Sequence, residues 1–133
     1  MNFLFVFLSL LLQDGVIKEA FKIADAEPGH CQVRIQAAMA PDGRFAVAWV
    51  DSVPSEIPSL AKETNIYLRF FDRDGNALTP AQKITKMADT NWIYWPSLAM
   101  DSVGNTVLLW IEASHRYNPN KYLRFQCFDS NGN

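Results

Sequence analysis

Two short acidic segments are the first places in the sequence where side-chain chemistry could bind a ligand. Both follow the pattern Asp, any residue, Asp or Asn, Gly, Asn: one begins at Asp72 and contains Asp74, and the other begins at Asp129 and contains Asn131. Calcium loops also use closely spaced carboxylates, but the further oxygen ligands and the distal Glu of an EF-hand are absent. Asp and Asn favour turns by hydrogen-bonding their own backbone. We therefore expect two turns and no cofactor, with Ca²⁺ bound by these four residues as the alternative.

Groupings that could catalyse a reaction are few. Asp51 and Glu112 each lie two residues after a tryptophan and could form an acid and base pair, but we expect them to cap strand ends. His30 and His115 stand alone in predicted loops and are expected to be solvated. The motifs of serine hydrolases, zinc peptidases, P-loop proteins and Rossmann enzymes are missing. The sequence therefore predicts a protein without enzymatic activity.

Three aromatic residues are crowded into one short stretch, at Trp92, Tyr94 and Trp95. Exposed aromatic rings stack on sugars or on peptide groups, so this stretch is our candidate for ligand binding. The alternative is that the rings pack between neighbouring structural units. Either role requires a rigid strand that holds the rings in place.

The strands that would position these residues belong to a repeat. The stretch 37–51 recurs at 98–112 without a gap, and each copy reads as strand, tight turn, strand. Equivalent residues, 61 positions apart, are Gly43 and Gly104, Trp49 and Trp110, and Ile23 and Ile84. A repeat of this length is typical of modular all-β architectures rather than of a catalytic domain.

Hydrophobic patterns and turn residues predict eight strands. The predicted strands are 16–23, 32–39, 44–51, 65–72, 81–85, 92–100, 105–112 and 122–129, with turns at 40–43, 72–76 and 129–133 and loops at 52–64 and 113–120. In the strands 44–51 and 105–112, both alternating sets of side chains are mainly apolar. We therefore expect each sheet to be covered on both faces, as in stacked sheets.

The amino terminus allows two interpretations. Residues 3–12 form an apolar run that is too short to span a bilayer. It could be the core of a signal peptide, although no positive charge precedes it and no cleavage site follows promptly. It could equally be a strand of a preceding repeat unit, in which case the reading frame begins inside a longer array.

Composition and cysteines narrow the function further. The 133 residues are 49% apolar and 20% charged with a net charge of −2, which is typical of a folded domain. No basic stripe is present, so we expect no nucleic-acid partner.

Cys31 and Cys127 lie at non-equivalent places in the repeat and have no CxxC or His partner, which argues against a metal site. We expect two half-buried free thiols, with a disulfide as the alternative.

The second copy carries a family resemblance. Its residues 96–101, the hairpin from Gly104 to Trp110, the strand 122–125 and the turn 129–133 resemble the repeats of about 60 residues found in large secreted or surface bacterial proteins. Those repeats look like blades of β-propellers, each a four-stranded antiparallel meander. The first copy departs from this pattern, since it has Arg, Ile and Gln at 34–36 where the second has Trp, Pro and Ser.

The resemblance implies an all-β fold in which antiparallel four-stranded meanders stack face to face as an incomplete β-propeller. Residues 1–31 would hold the apolar segment and the outer strand of a preceding unit, residues 32–91 a complete repeat, and residues 92–133 a repeat without its last strand. Gly43, Trp49, Gly104 and Trp110 would be the structural residues of the repeat. The open ends would be covered by further blades or by self-association, and no membrane span is expected.

The resemblance further implies a non-catalytic scaffold that binds protein or carbohydrate outside the cell or on its surface. Two alternatives stay open. One is a part of a glycosidase-like propeller enzyme, which would need carboxylates and arginines converging from several blades. The other is a truncated gene product without a role of its own.

Overall fold

The computed structural model describes residues 20–54, 61–85, 92–113 and 120–133. Within these ranges the chain forms two antiparallel sheets and no helix. Sheet 1 has the strand order β1-β2-β3-β4, and sheet 2 has the order β5-β6-β7. The strands are β1 (Cys31–Met39), β2 (Phe45–Pro54), β3 (Ala61–Phe71), β4 (Gln82–Lys83), β5 (Trp92–Met100), β6 (Thr106–Ala113) and β7 (Lys121–Phe128). The predicted all-β class is confirmed.

Two of the predicted boundaries are wrong. The loop expected at 52–64 is strand in its described parts, 52–54 and 61–64, because β2 and β3 continue to pair through Ser52 with Thr64 and through Val53 with Glu63. The strand expected at 16–23 is not seen in its described part, 20–23. Residues 3–12, 16–19 and 114–119, on which other predictions fall, lie outside the described residues.

The two sheets pack on each other through one face each. We define the front face of sheet 1 as Ala46, Ala48, Val50, Ile66, Leu68 and Phe70, and the back face of sheet 2 as Ile93, Leu98, Met100, Leu108, Trp110 and Phe128. These side chains form the main hydrophobic core, together with Ile84 from the end of β4. Each fully buried large side chain contributes about 1.5–3 kcal/mol to stability, so this contact dominates the fold.

The opposite face of sheet 1 is also covered. Val47, Trp49 and Phe71 are buried on this back face, and Ile23 and Ala24 pack against them. We expected the strand after Gly43 to be buried on both faces, because its side chains are apolar on both. This expectation is confirmed for β2.

The front face of sheet 2 is open. Leu109 pairs with Phe125 and Ile111 pairs with Leu123, so these four side chains share that face. Leu123 is 69% exposed and Phe125 is 70% exposed, and nothing in the described chain covers them. The expectation that both sheets are covered on both faces is therefore wrong for sheet 2.

Four turns share one hydrogen-bonding pattern. In each five-residue turn the first N–H donates to the fifth carbonyl, and the N–H of a glycine at position four donates to the first carbonyl. The glycines are Gly43, Gly75, Gly104 and Gly132, with φ between 75° and 93°. A turn of this kind needs a left-handed residue at that position, which glycine adopts without steric cost. The predicted turns at 40–43, 72–76 and 129–133 are confirmed.

The repeat glycines also allow close approach. An added Cβ at Gly43 would lie 2.9 Å from Cβ of Arg73, and one at Gly104 would lie 3.2 Å from the guanidinium of Arg44. Arg44 in turn donates from Nη2 to the carbonyl of Val103 over 2.8 Å. The first hairpin turns of the two units thus contact each other at one end of the stacked sheets.

We predict that Gly132→Ala destabilises the protein more than Gly29→Ala. Both glycines have positive φ, which costs an Ala roughly 1–2 kcal/mol. A Cβ at Gly132 would also lie 2.8 Å from Cδ2 of Phe70, whereas nothing lies within 4 Å of one at Gly29. Overpacking of this kind adds roughly 1–3 kcal/mol.

Urea unfolding of both variants measures the difference, and Gly29→Ala serves as the control for backbone strain alone. Equal losses in the free energy of unfolding would show that the turn at 129–133 does not pack on Phe70.

Candidate functional site

The three predicted aromatic residues lie together on β5. The ring centroids of Trp92 and Tyr94 are 6.4 Å apart with the rings nearly parallel, and those of Tyr94 and Trp95 are 5.5 Å apart and tilted. Trp95 is 61% exposed, so its ring is not packed between the two sheets. The structure therefore brings all three candidate residues into one cluster.

A β-bulge orients the most exposed of these rings. The pairing of β5 with β6 shifts by one residue between Tyr94 and Ser97, and the pairing of β1 with β2 shifts in the same way between Val33 and Gln36. Inside the bulges, Trp95 has φ 45° and Arg34 has φ 56°. Bulges redirect side chains and recur next to functional sites.

The two bulges are equivalent in the repeat, although their residues differ. Arg34 lies 61 positions before Trp95, and the two share the same left-handed backbone. A left-handed conformation in a residue other than Gly costs of order 1–3 kcal/mol and persists only where the surrounding structure fixes it. The first copy thus differs from the second in its side chains at this position and has the same local backbone geometry.

Two cations flank the rings. The guanidinium carbon of Arg34 is 5.6 Å from the ring centroid of Tyr94 and 6.0 Å from that of Trp95, and Nζ of Lys121 is 5.6 Å from Tyr94. These are cation–π distances. We call Arg34, Trp92, Tyr94, Trp95 and Lys121 the aromatic platform. The sequence analysis did not predict that these two cations lie near the rings. For Arg34, its equivalence with Trp95 in the repeat could have indicated it.

A second site, not predicted from the sequence, is a cleft of about 290 Å³ on the back face of sheet 1. Its walls include Trp49 and Tyr67, whose rings are stacked with centroids 5.8 Å apart. Polar walls come from Asp25, Gln32, Asp51 and Arg69. Arg69 donates to the carbonyls of Ile23 and Thr79, so it fastens the segment before β1 to the sheet.

The carboxylates proposed as an acid and base pair have separate partners. Asp51 is 7% exposed and lies 2.7 Å from Nδ1 of His30, while Oε2 of Glu112 accepts a hydrogen bond from Nε of Arg124. The expectation that His30 is a solvated loop residue is wrong, since it is half-buried against Asp51. The predicted hairpin, which brings the start of β1 beside the end of β2, was the signal that could have found this pair. Asp51 lies within β2, three residues before its end, whereas Glu112 is the last residue but one of β6, so the expectation that they cap strand ends is wrong for Asp51. His115 lies outside the described residues.

The candidate calcium residues bind the backbone of their own turns. Oδ1 of Asp72 accepts hydrogen bonds from the N–H groups of Asp74 and Asn76, and Oδ1 of Asp129 accepts them from Asn131 and Asn133. A carboxylate in the turn at 101–105 does the same. In the part of the chain that the structure describes, no group of three or more His, Cys, Asp and Glu side chains could hold a metal ion. Turn formation therefore accounts for the positions of Asp72 and Asp129, the first residues of the two candidate segments.

Both cysteines are free and exposed. The expectation of half-buried thiols is therefore wrong in respect of burial, and the disulfide between Cys31 and Cys127 is not formed. Cys127 pairs with Val107 across β6 and β7, which places it on the open front face of sheet 2.

Comparison with protein-family models, with curated proteins and with solved structures finds no match for this chain. The described residues contain no helix that is long and apolar enough to cross a membrane. The family resemblance therefore stays a prediction, and a function has to be inferred from the contacts described above.

We predict that Asp129 makes the stability of the protein depend on pH in the acid range. Hydrogen bonds from the N–H groups of Asn133 and Asn131 lower the pKa of Asp129 below its usual value of 3.8. Because the pKa is lower in the folded state, the stabilisation is complete above pH 3.8 and is lost as the pH falls through the folded pKa.

The measurement is urea unfolding across the acid range, together with NMR titration of the Asp129 carboxyl carbon. Asp129→Asn removes the titrating group and should flatten this part of the profile. An Asp129 that titrates above 3.8 in the folded protein would contradict the prediction.

Proposed function

We propose that the chain is a non-catalytic segment of a β-propeller-like array in a secreted or surface bacterial protein, where it acts as a scaffold for binding protein or carbohydrate. The observation that carries the proposal is the order in which the two sheets stack. The front face of sheet 1 is buried by the back face of sheet 2, and the equivalent front face of sheet 2 is open.

The open face is the repeat equivalent of a buried one. Ala46, Ala48 and Val50 of β2 correspond, 61 residues later, to Val107, Leu109 and Ile111 of β6. On the next strand, Leu68 and Phe70 correspond by local sequence to Leu123 and Phe125. The first set packs on a neighbouring sheet, and the second set presents a contiguous apolar surface of the kind that soluble monomers avoid. The fitting partner for this surface is the back face of a further unit.

The segment before β1 indicates the same kind of stacking on the back face of sheet 1. Ile84, just after β4, packs into the core between sheets 1 and 2. Its equivalent, Ile23, packs against the back face of sheet 1. Residues 20–24 thus pack on sheet 1 in the same way as the residues at the end of β4 pack on sheet 2. This correspondence is expected if the same packing between neighbouring sheets repeats along a longer array.

Stacking leaves the aromatic platform accessible. The sheet 1 residues that correspond to Trp92, Tyr94 and Trp95 are Cys31, Val33 and Arg34. All three are exposed even though sheet 2 is stacked on sheet 1, with Val33 39% exposed. A further unit on sheet 2 would therefore leave the platform open to a ligand, as a binding scaffold requires.

We predict that the open face drives association of the isolated chain. Leu123→Glu combined with Phe125→Glu should give a monomer where the wild-type chain associates, because charges on this face oppose burial. The free energy of unfolding should change little, within about 0.5 kcal/mol, since both side chains are exposed.

Sedimentation velocity across a concentration series measures the association. Tyr122→Glu is the matched control, because it adds a charge to the same strand on the side of Arg124 and Glu112 and should leave association unchanged. A wild-type chain that stays monomeric at every concentration would remove the support for stacking through this face.

A further inference from the structure

Trp95 is held in an unusual way for a residue that only fills space. Its backbone is left-handed inside the bulge and its ring is mostly exposed, so the bulge presents the ring to solvent instead of burying it. Strained backbone that presents an exposed side chain is a recurrent feature of binding sites. The ring offers a flat apolar surface to solvent.

The charges around the ring are of one sign. Arg34 and Lys121 both lie near Tyr94, and Arg34 also lies near Trp95. Among the described residues, neither cation forms an ion pair with a carboxylate. A chain with a net charge of −2 thus carries two positive charges at its most exposed aromatic cluster. The complementary ligand has an apolar ring face and a negative group beside it.

The local backbone disfavours a peptide added as an extra strand. β5 is an edge strand of sheet 2, but the bulge at Trp95 interrupts its edge, and Pro96 has no N–H to donate. Bulges and prolines are the means by which edge strands avoid such pairing. Nucleic acid also fits poorly, since its affinity depends on neutralising several phosphates and only two cations are present here.

We infer that the aromatic platform binds an acidic saccharide, with a pyranose ring stacked on Trp95 and a uronate carboxylate paired with Arg34 and Lys121. The inference rests on the proposed scaffold function and names the class of ligand for it. A pyranose presents a face of C–H groups that packs on an indole ring, and a guanidinium pairs with a carboxylate through two parallel hydrogen bonds. The first unit has Cys31 and Val33 in place of the rings, so each chain has one such site among the described residues.

The test is calorimetric titration with an oligogalacturonate and with the neutral galactan oligomer of the same length. The wild-type chain should bind the acidic oligomer at least tenfold more tightly than the neutral one. Trp95→Ala should weaken binding of both oligomers at least tenfold, and Trp95→Phe should restore most of it. Arg34→Gln combined with Lys121→Gln should weaken binding of the acidic oligomer alone, so that its affinity falls to that of the neutral one.

Two controls distinguish binding at the aromatic platform from nonspecific electrostatic binding. Arg73→Gln removes an exposed arginine from the turn at 72–76 and should leave both affinities unchanged. Dextran sulfate, which is anionic without a uronate, should compete weakly. Circular dichroism of each variant verifies the fold.

Four results would overturn the inference. Equal affinity for the two oligomers would show that the platform binds carbohydrate but does not prefer an acidic saccharide. Binding that is insensitive to Trp95→Ala would show that the oligomer does not stack on this ring, and stronger binding of dextran sulfate would show that the two cations do not select a uronate. Absence of binding to either oligomer would remove the saccharide site, whereas the association measured with the Leu123 and Phe125 variants tests stacking independently.

Discussion

The contact between the front face of sheet 1 and the back face of sheet 2 determines most of this structure. Small side chains on β2, Ala46 and Ala48, lie in the same core as the large Leu108 and Trp110 of the next unit. Two sheets with small residues on one face and large residues on the other can approach closely and exclude water. Because the two packed faces are different faces of equivalent sheets, the contact is head-to-tail, and each added unit leaves another open face until a ring closes.

The turns and bulges fix what this stacking presents to solvent. Four glycine-containing turns hold the hairpins in register, and in each of them an Asp carboxylate accepts at least one hydrogen bond from the backbone of its own turn. At the other end of the hairpins, equivalent bulges turn Arg34 and Trp95 out of the regular strand direction. The three rings of the aromatic platform therefore lie on one strand, β5, and the cations reach them from β1 and β7.

Much of the architecture was predictable because it depends on local patterns. Alternating apolar residues identified five of the long strands to within a few residues, and Pro, Asp, Asn and Gly identified the turns. The ends of the second hairpin were missed because β2 and β3 extend by pairing with each other, although Ser52 to Thr64 has the composition of a loop. The β-propeller class stays a prediction from the resemblance.

The sequence by itself determined the repeat, the all-β class and the position of Trp92, Tyr94 and Trp95 on one strand, because strand periodicity and turn chemistry act over a few residues. Only the tertiary structure decided that Arg34 and Lys121 reach these rings and that His30 contacts Asp51. It also decided that, in the part of the chain that the structure describes, sheet 1 is covered on both faces while the front face of sheet 2 is open. These contacts join residues far apart in the chain. They depend on how the sheets pack, which local propensity does not specify.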